Sequence, residues 1–107
     1  MEPQPRTVQY YETPNGKCPY QEWLDGLDKK TQSIVDARIV RLRKGQLGVC
    51  REVGKGVKEL KIPYGPGWRV YFAEDGDSIV VLLCAGHKGS QDRDIRKAQE
   101  YWEEYLS

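Results

Sequence analysis

The chain has almost none of the residues that hold metals. One histidine and three cysteines serve 107 residues, and Cys18, Cys50 and Cys84 lie more than thirty positions apart. None makes the close pair that a zinc knuckle or a dithiol redox motif needs, and an odd count excludes a complete disulfide framework. Reduced, partly buried thiols are expected, with no metal and no cofactor. No apolar run approaches the roughly 20 residues of a membrane span. The opening "MEPQPRTVQ" is polar and proline-bearing, unlike a secretory leader, so a cytoplasmic protein with no membrane partner is expected. Repeats, low-complexity tracts and long linkers are also missing. The stretch "GKGVKEL" lacks the spacing and the GK[ST] ending of a phosphate-binding P-loop.

What is present fits one domain spanning residues 1–107. A chain of this length buries roughly two-thirds of its unfolded surface, and 38% apolar against 31% charged residues suits a compact, heavily solvated fold. The net charge of +1 conceals a segregation. Residues 37–72 carry nine basic side chains against Glu52 and Glu59, a net of +7, while the flanking segments are net acidic. A basic middle on an otherwise acidic chain is the footprint of a polyanionic partner if that segment forms one face, and otherwise a set of solvated charges.

Hydrophobic periodicity gives the order β-α-α-β-β-β-α. "RTVQYYE" (6–12) alternates and is closed by the turn signal "TPNG". Pro19 opens a helix with Trp23, Leu24 and Leu27 turned inward. Asp28 caps a longer one that Gly45 stops. Three strands follow, at 56–62, 68–74 and 78–86, joined by loops short enough for an antiparallel meander. "SIVVLLCAG" is apolar on both faces and belongs in the middle of the sheet. Ser90 is expected to cap a last helix with Ile95, Ala98, Trp102 and Tyr105 on one stripe. The expected α+β fold is a helical hairpin packed on a four-stranded, mostly antiparallel sheet.

Several residues are suited to a phosphate. Arg69, after the Gly65-Pro66-Gly67 turn of "YGPGWRVYF", has a guanidinium that can grip two phosphate oxygens in a fixed fork; the alternative is a solvated strand arginine. Lys58 and Lys61, three apart, cannot share one face of a regular strand. Lys61 lies nearer Arg69. His87, the one histidine, carries an imidazole, a side chain suited to acid or base work or to a loop cap. Gln91 and Arg93 stand on the first turn of the last helix, where backbone amides favour an anion; a local salt bridge is the competing reading for Arg93. Trp68 is placed to stack on a base, whereas Trp23 and Trp102 read as core.

"GVKELKIPYGPGWRVYF" followed by a strand ending "AGHKGSQDRDI" resembles the RelE/ParE superfamily of toxins from type II toxin–antitoxin modules. Within it, the chain is most similar to the addiction-module killer branch, which is HigB-like. The resemblance runs from about Tyr10 to Trp102. It implies a metal-independent, ribosome-associated endoribonuclease that cuts mRNA and is restrained by a cognate antitoxin. Similar toxins carry an arginine after an aromatic residue at the position of Arg69; with the residue chemistry above, the expected catalytic set is Arg69, Lys61, Lys88 and His87, with Lys58, Trp68, Gln91 and Arg93 as expected RNA contacts. Lys88 matches a position where relatives carry a basic residue, whereas that branch more often has an acidic residue where His87 stands. ParE-like relatives imply the alternative, a toxin that inhibits DNA gyrase by binding alone. Strand cations around one hairpin favour the nuclease.

Overall fold

The structure, a computed structural model, describes residues 5–46, 48 and 50–107; the first four residues of the polar opening lie outside them. Pro19 begins helix α1 (Pro19–Asp25), as its fixed φ predisposes it to do. Asp28 caps α2 (Lys29–Arg43) by accepting from the Thr31 backbone N–H at 3.2 Å and its hydroxyl at 2.6 Å. Gly45, at φ +86°, takes the left-handed position just past the end of α2. Around these helices run β1 (Thr7–Tyr10), β2 (Cys50–Glu52), β3 (Lys58–Ile62), β4 (Trp68–Asp75) and β5 (Ile79–His87). A single 3-10 turn, Lys88–Ser90, leads into α3 (Gln91–Leu106). No helix among the described residues is long and apolar enough to cross a membrane.

The strands form one sheet in the order β1-β5-β4-β3-β2, antiparallel except for the β1–β5 pair. The α+β class and the meander agree with the sequence reading, and β5 is interior, between β1 and β4. The strand count does not agree: the sheet has five strands, not four. β2 is a three-residue edge strand with no apolar alternation of its own, and it exists by pairing Cys50, Arg51 and Glu52 with Leu60, Glu59 and Lys58.

Two cores lie on opposite faces of the sheet. Tyr20, Leu24, Val35 and Leu42 of the hairpin pack on Leu60, Ile62, Val70, Phe72, Val80 and Leu82. Ala98 and Trp102 of α3 pack on Val57, Tyr71, Ala73, Val81, Leu83 and Cys84. The last helix therefore closes the face that the hairpin leaves open, giving three layers. Burial pushes the Cys84 thiol up to about 12, which keeps it protonated near neutrality.

One irregularity sets the geometry of everything beyond it. Tyr71 pairs with Cys84 but Phe72 pairs with Leu82, so β5 spends two residues where β4 spends one. This bulge turns Leu83 and Cys84 to the same side and reverses the alternation that follows. Gly86 then lies opposite Arg69 on the α3 face, and His87 lies opposite Trp68.

Candidate functional site

Register determines which charges meet. Lys61 pairs with Arg69, Glu59 with Tyr71, and Arg51 with Glu59. Cross-strand partners share a face, so Arg51, Glu59, Lys61, Arg69 and Tyr71 all lie on the α3 side near the β2 edge. They surround Glu59, which is 3% exposed. Its Oε1 accepts from Arg51 Nε at 2.9 Å, and its Oε2 accepts from the Tyr71 hydroxyl at 3.0 Å and from Gln91 Nε2 at 2.8 Å. Arg69 Nε stands 3.7 Å from Oε2, close enough for an ion pair and too far for a hydrogen bond.

Burial alone raises the Glu59 carboxyl. The hydrogen bonds from Gln91, Arg51 and Tyr71, with the Arg51 charge, outweigh it and hold the group below its ordinary range. Burial, then the Glu59 charge, pushes the Tyr71 phenol far up, so it remains a donor. Arg69 is 6% exposed, and its Nη1 donates to the Gly67 carbonyl at 2.8 Å. Gly67 sits at φ +81°, and a Cβ there would stand 3.3 Å from that Nη1. The turn glycine thus serves both the backbone and the close approach of the guanidinium.

Two adjoining hollows open on this side. One, of about 350 Å³, is lined by Cys50, Arg51, Glu59, Lys61, Arg69 and Gln91. The other, of about 560 Å³, has His87, Lys88, Asp92, Arg93 and Arg96 in its lining, and Gln91 belongs to both. Lys61, His87, Lys88 and Arg93 are exposed. Among the described residues, no group of three or more His, Cys, Asp or Glu stands ready to hold a metal.

The sequence candidates thus divide into three groups. Lys61, Arg69 and Gln91 meet around Glu59. His87, Lys88 and Arg93 border the second hollow. Lys58 and Trp68 lie on the opposite, hairpin side: Lys58 shares Glu74 with Arg6, and Trp68 packs edge-on against Trp23 at 5.8 Å with its indole N–H buried. His87 serves the local backbone, its Nδ1 accepting from the Gly89 N–H at 3.0 Å. Its ring meets Trp68 edge-on at 6.3 Å. Ser90 occupies the position before α3 without a side-chain cap bond there; its hydroxyl donates to Asp94 Oδ2 at 2.5 Å. Arg93 Nε reaches Asp94 Oδ1 only at 3.9 Å, so that pair is long, and its Arg93 side is exposed.

Sequence reasoning passes over Glu59 and Arg51, and leaves Tyr71 open between a base contact and packing. The available signal was parity: Glu59 falls in step with Val57, an inward-facing core residue, so a carboxylate was committed to the buried side of a strand.

Two comparisons bear on this arrangement. The family model described as "Phage derived protein Gp49-like (DUF891)" matches residues 22–103, which include both hollows. An uncharacterized protein of Haemophilus influenzae is 38% identical over 81 residues, covering 75% of this chain and 82% of its own length.

Proposed function

The chain belongs to the phage-derived Gp49-like family of RelE-like toxins, and from that premise we propose that it is the toxin of a type II toxin–antitoxin module, of HigB-like type. We further propose that it acts in the cytoplasm as a metal-independent endoribonuclease that cuts mRNA on the ribosome. The observation that carries this reading is the cross-strand pair Lys61–Arg69, lining one hollow with Arg51 and the buried carboxylate of Glu59. RNA cleavage without a metal uses the 2′-hydroxyl as nucleophile. It needs a base for that hydroxyl, cations for the charge that gathers on phosphorus, and an acid for the departing 5′-oxygen. Arg69 is assigned to the phosphorus-bound oxygens, and Lys61 and Lys88 to flanking charge and proton delivery. His87 is assigned to proton transfer from the second hollow, with Gln91 and Arg93 holding the strand there. Lys58 and Trp68 have no position in this set, because Lys58 is tied to Glu74, Trp68 packs on Trp23, and neither lines either hollow.

Neutralisation by an antitoxin follows from the family, since a toxin that stops growth has to be restrained in its own cell. An acidic or amphipathic antitoxin segment has exposed cations to cover on this face.

One observation favours the second reading, gyrase inhibition by binding: Arg69 is already engaged by Gly67 and Glu59 in the unbound protein. Inducible expression in a bacterium separates the two, with primer extension on one transcript and a supercoiling assay from the same culture. Discrete transcript cuts with normal supercoiling are expected. Gyrase-linked DNA breaks with intact transcripts would replace the nuclease reading. Co-expression of the product of the adjacent small reading frame is expected to restore growth.

A further inference from the structure

We propose that Arg51 and Arg69 are the two arms of one phosphate-binding site and that Glu59 is the positioning residue that fixes their separation. The inference rests on the nucleic-acid reading of this face and adds two residues to it, Arg51 and Glu59.

Both arginines address Glu59 through Nε, from opposite oxygens of the carboxylate. This uses the inner N–H of Arg51 as a hydrogen-bond donor and turns the inner edge of Arg69 toward the carboxylate as an ion pair. Among the described residues, the terminal nitrogens of Arg51 and the Nη2 of Arg69 have no hydrogen-bond partner, and both arginines line the same hollow. A carboxylate hydrogen-bonded to Arg51 and ion-paired with Arg69 leaves the terminal nitrogens of Arg51 and the Nη2 of Arg69 for a tetrahedral oxyanion in the hollow that both arginines line.

Arg69 has a donor left over. Oε2 of Glu59 already accepts from Tyr71 and Gln91, two hydrogen bonds on one oxygen with two lone pairs. That saturation leaves Arg69 Nε at 3.7 Å, buried and without a hydrogen-bond partner. Buried polar groups are nearly always satisfied, so a guanidinium more than nine-tenths buried with a donor unspent, on a side chain that lines an open hollow, is short of an acceptor that a bound anion supplies at its terminal nitrogens. The same saturation argues against Glu59 as a proton acceptor in the reaction. Its oxygens are occupied, and its charge balances only one of the three cations, Arg51, Lys61 and Arg69, that line the hollow.

The sign of one substitution tests this. A carboxylate beside an anion site repels the anion, so by charge alone Glu59→Gln tightens phosphate binding. If Glu59 positions the two arms, Glu59→Gln weakens it. The probe is a 2′-O-methyl RNA pentanucleotide, which cannot be cut at a 2′-hydroxyl, with inorganic phosphate as the minimal ligand. In the wild type, the Arg51 and Arg69 Nε–H resonances are expected to shift together with one Kd on addition of either probe. Glu59→Gln is expected to weaken binding of the pentanucleotide about tenfold or more. It is expected to have no further effect once Arg51→Ala and Arg69→Ala are both present. Equal or tighter binding by a folded Glu59→Gln protein, or losses that simply add, would overturn the inference. If Glu59→Gln does not fold, the wild-type titration decides, because movement of only one arginine resonance also overturns it. Failure of the nuclease reading would appear separately, as absence of cleavage with this binding intact.

Discussion

Arg69 is held by the fold and, in the proposed reaction, is needed by the substrate. It is buried and paired with Glu59, so Arg69→Ala is expected to cost stability as well as rate, about 1–3 kcal/mol, with Glu59 keeping its three other donors. Single-turnover cleavage on programmed ribosomes, below the melting range of the variant, isolates the chemistry. Loss of one donor to developing negative charge typically costs ~10²–10³ in rate. Arg69→Lys is expected to recover only part of it, since a point charge cannot replace a fork. Undiminished cleavage by folded Arg69→Ala removes Arg69 from the mechanism. Glu59 makes a matching prediction in pH. Its folded-state pKa is depressed, so it contributes stability above the unfolded value of about 4.3, and that contribution is lost as pH falls through the lower folded value. The stability difference between wild type and Glu59→Gln is therefore expected to be largest near neutrality and to shrink below about pH 4. Urea titrations at pH 7 and pH 3 check it, and a difference that grows toward acid contradicts the assignment.

At the scale of elements, the helices were legible because their ends carry chemistry of their own: Pro19 at a start, Asp28 at a cap, Gly45 at a stop. β2 was not legible, because Cys50–Glu52 has no alternation and takes its conformation from β3. The bulge in β5 was hidden for a related reason. "SIVVLLCAG" is apolar on both faces, so a one-residue change of phase puts no polar side chain in a core, and the sequence carries no trace of it. Its effect on the site is direct. The register gives Arg69 to Gly86 and His87 to Trp68, so His87 borders the second hollow and meets the one that holds Arg69 only across Gln91. Gly86 is the tightest point of this junction. A Cβ there would collide with Asp94 Oδ2 and stand 2.8 Å from Ser90 Oγ. The β5 backbone is fixed by pairing with β4, so the Ser90–Asp94 hydrogen bond has to yield, and with it the first turn of α3 that carries Gln91. Gly86→Ala is expected to cost about 1–3 kcal/mol. Hydrogen exchange is expected to show amides at the start of α3 losing protection while β4 keeps its own. Unchanged protection at residues 91–95 would show that this bond does not anchor the helix.

At the scale of the whole molecule, the sheet acts as a partition. The basic segment 37–72 looks like one footprint in the sequence, but folding divides it. Arg41, Arg43 and Lys44 are exposed on α2 in the hairpin layer, Lys58 is tied to Glu74 on the hairpin side, and Arg51, Lys61 and Arg69 face α3. Composition supplies the charge, and strand parity decides which of it one ligand meets. An RNA strand lying on the α3 side contacts the second group and not the first. For single strands, each phosphate contact contributes about 0.7 to the slope of log K against log salt. Arg51→Ala and Lys61→Ala are each expected to lower the magnitude of that slope by about 0.7, measured by fluorescence anisotropy with the 2′-O-methyl pentanucleotide. The double variant Arg41→Ala with Arg43→Ala is expected to leave it unchanged, although it removes twice as much charge as either single change. If binding instead tracked total charge, the double variant would show the largest drop and the partition would have no bearing on recognition. A slope that follows the face and not the count would place the RNA against the surface organised around Glu59.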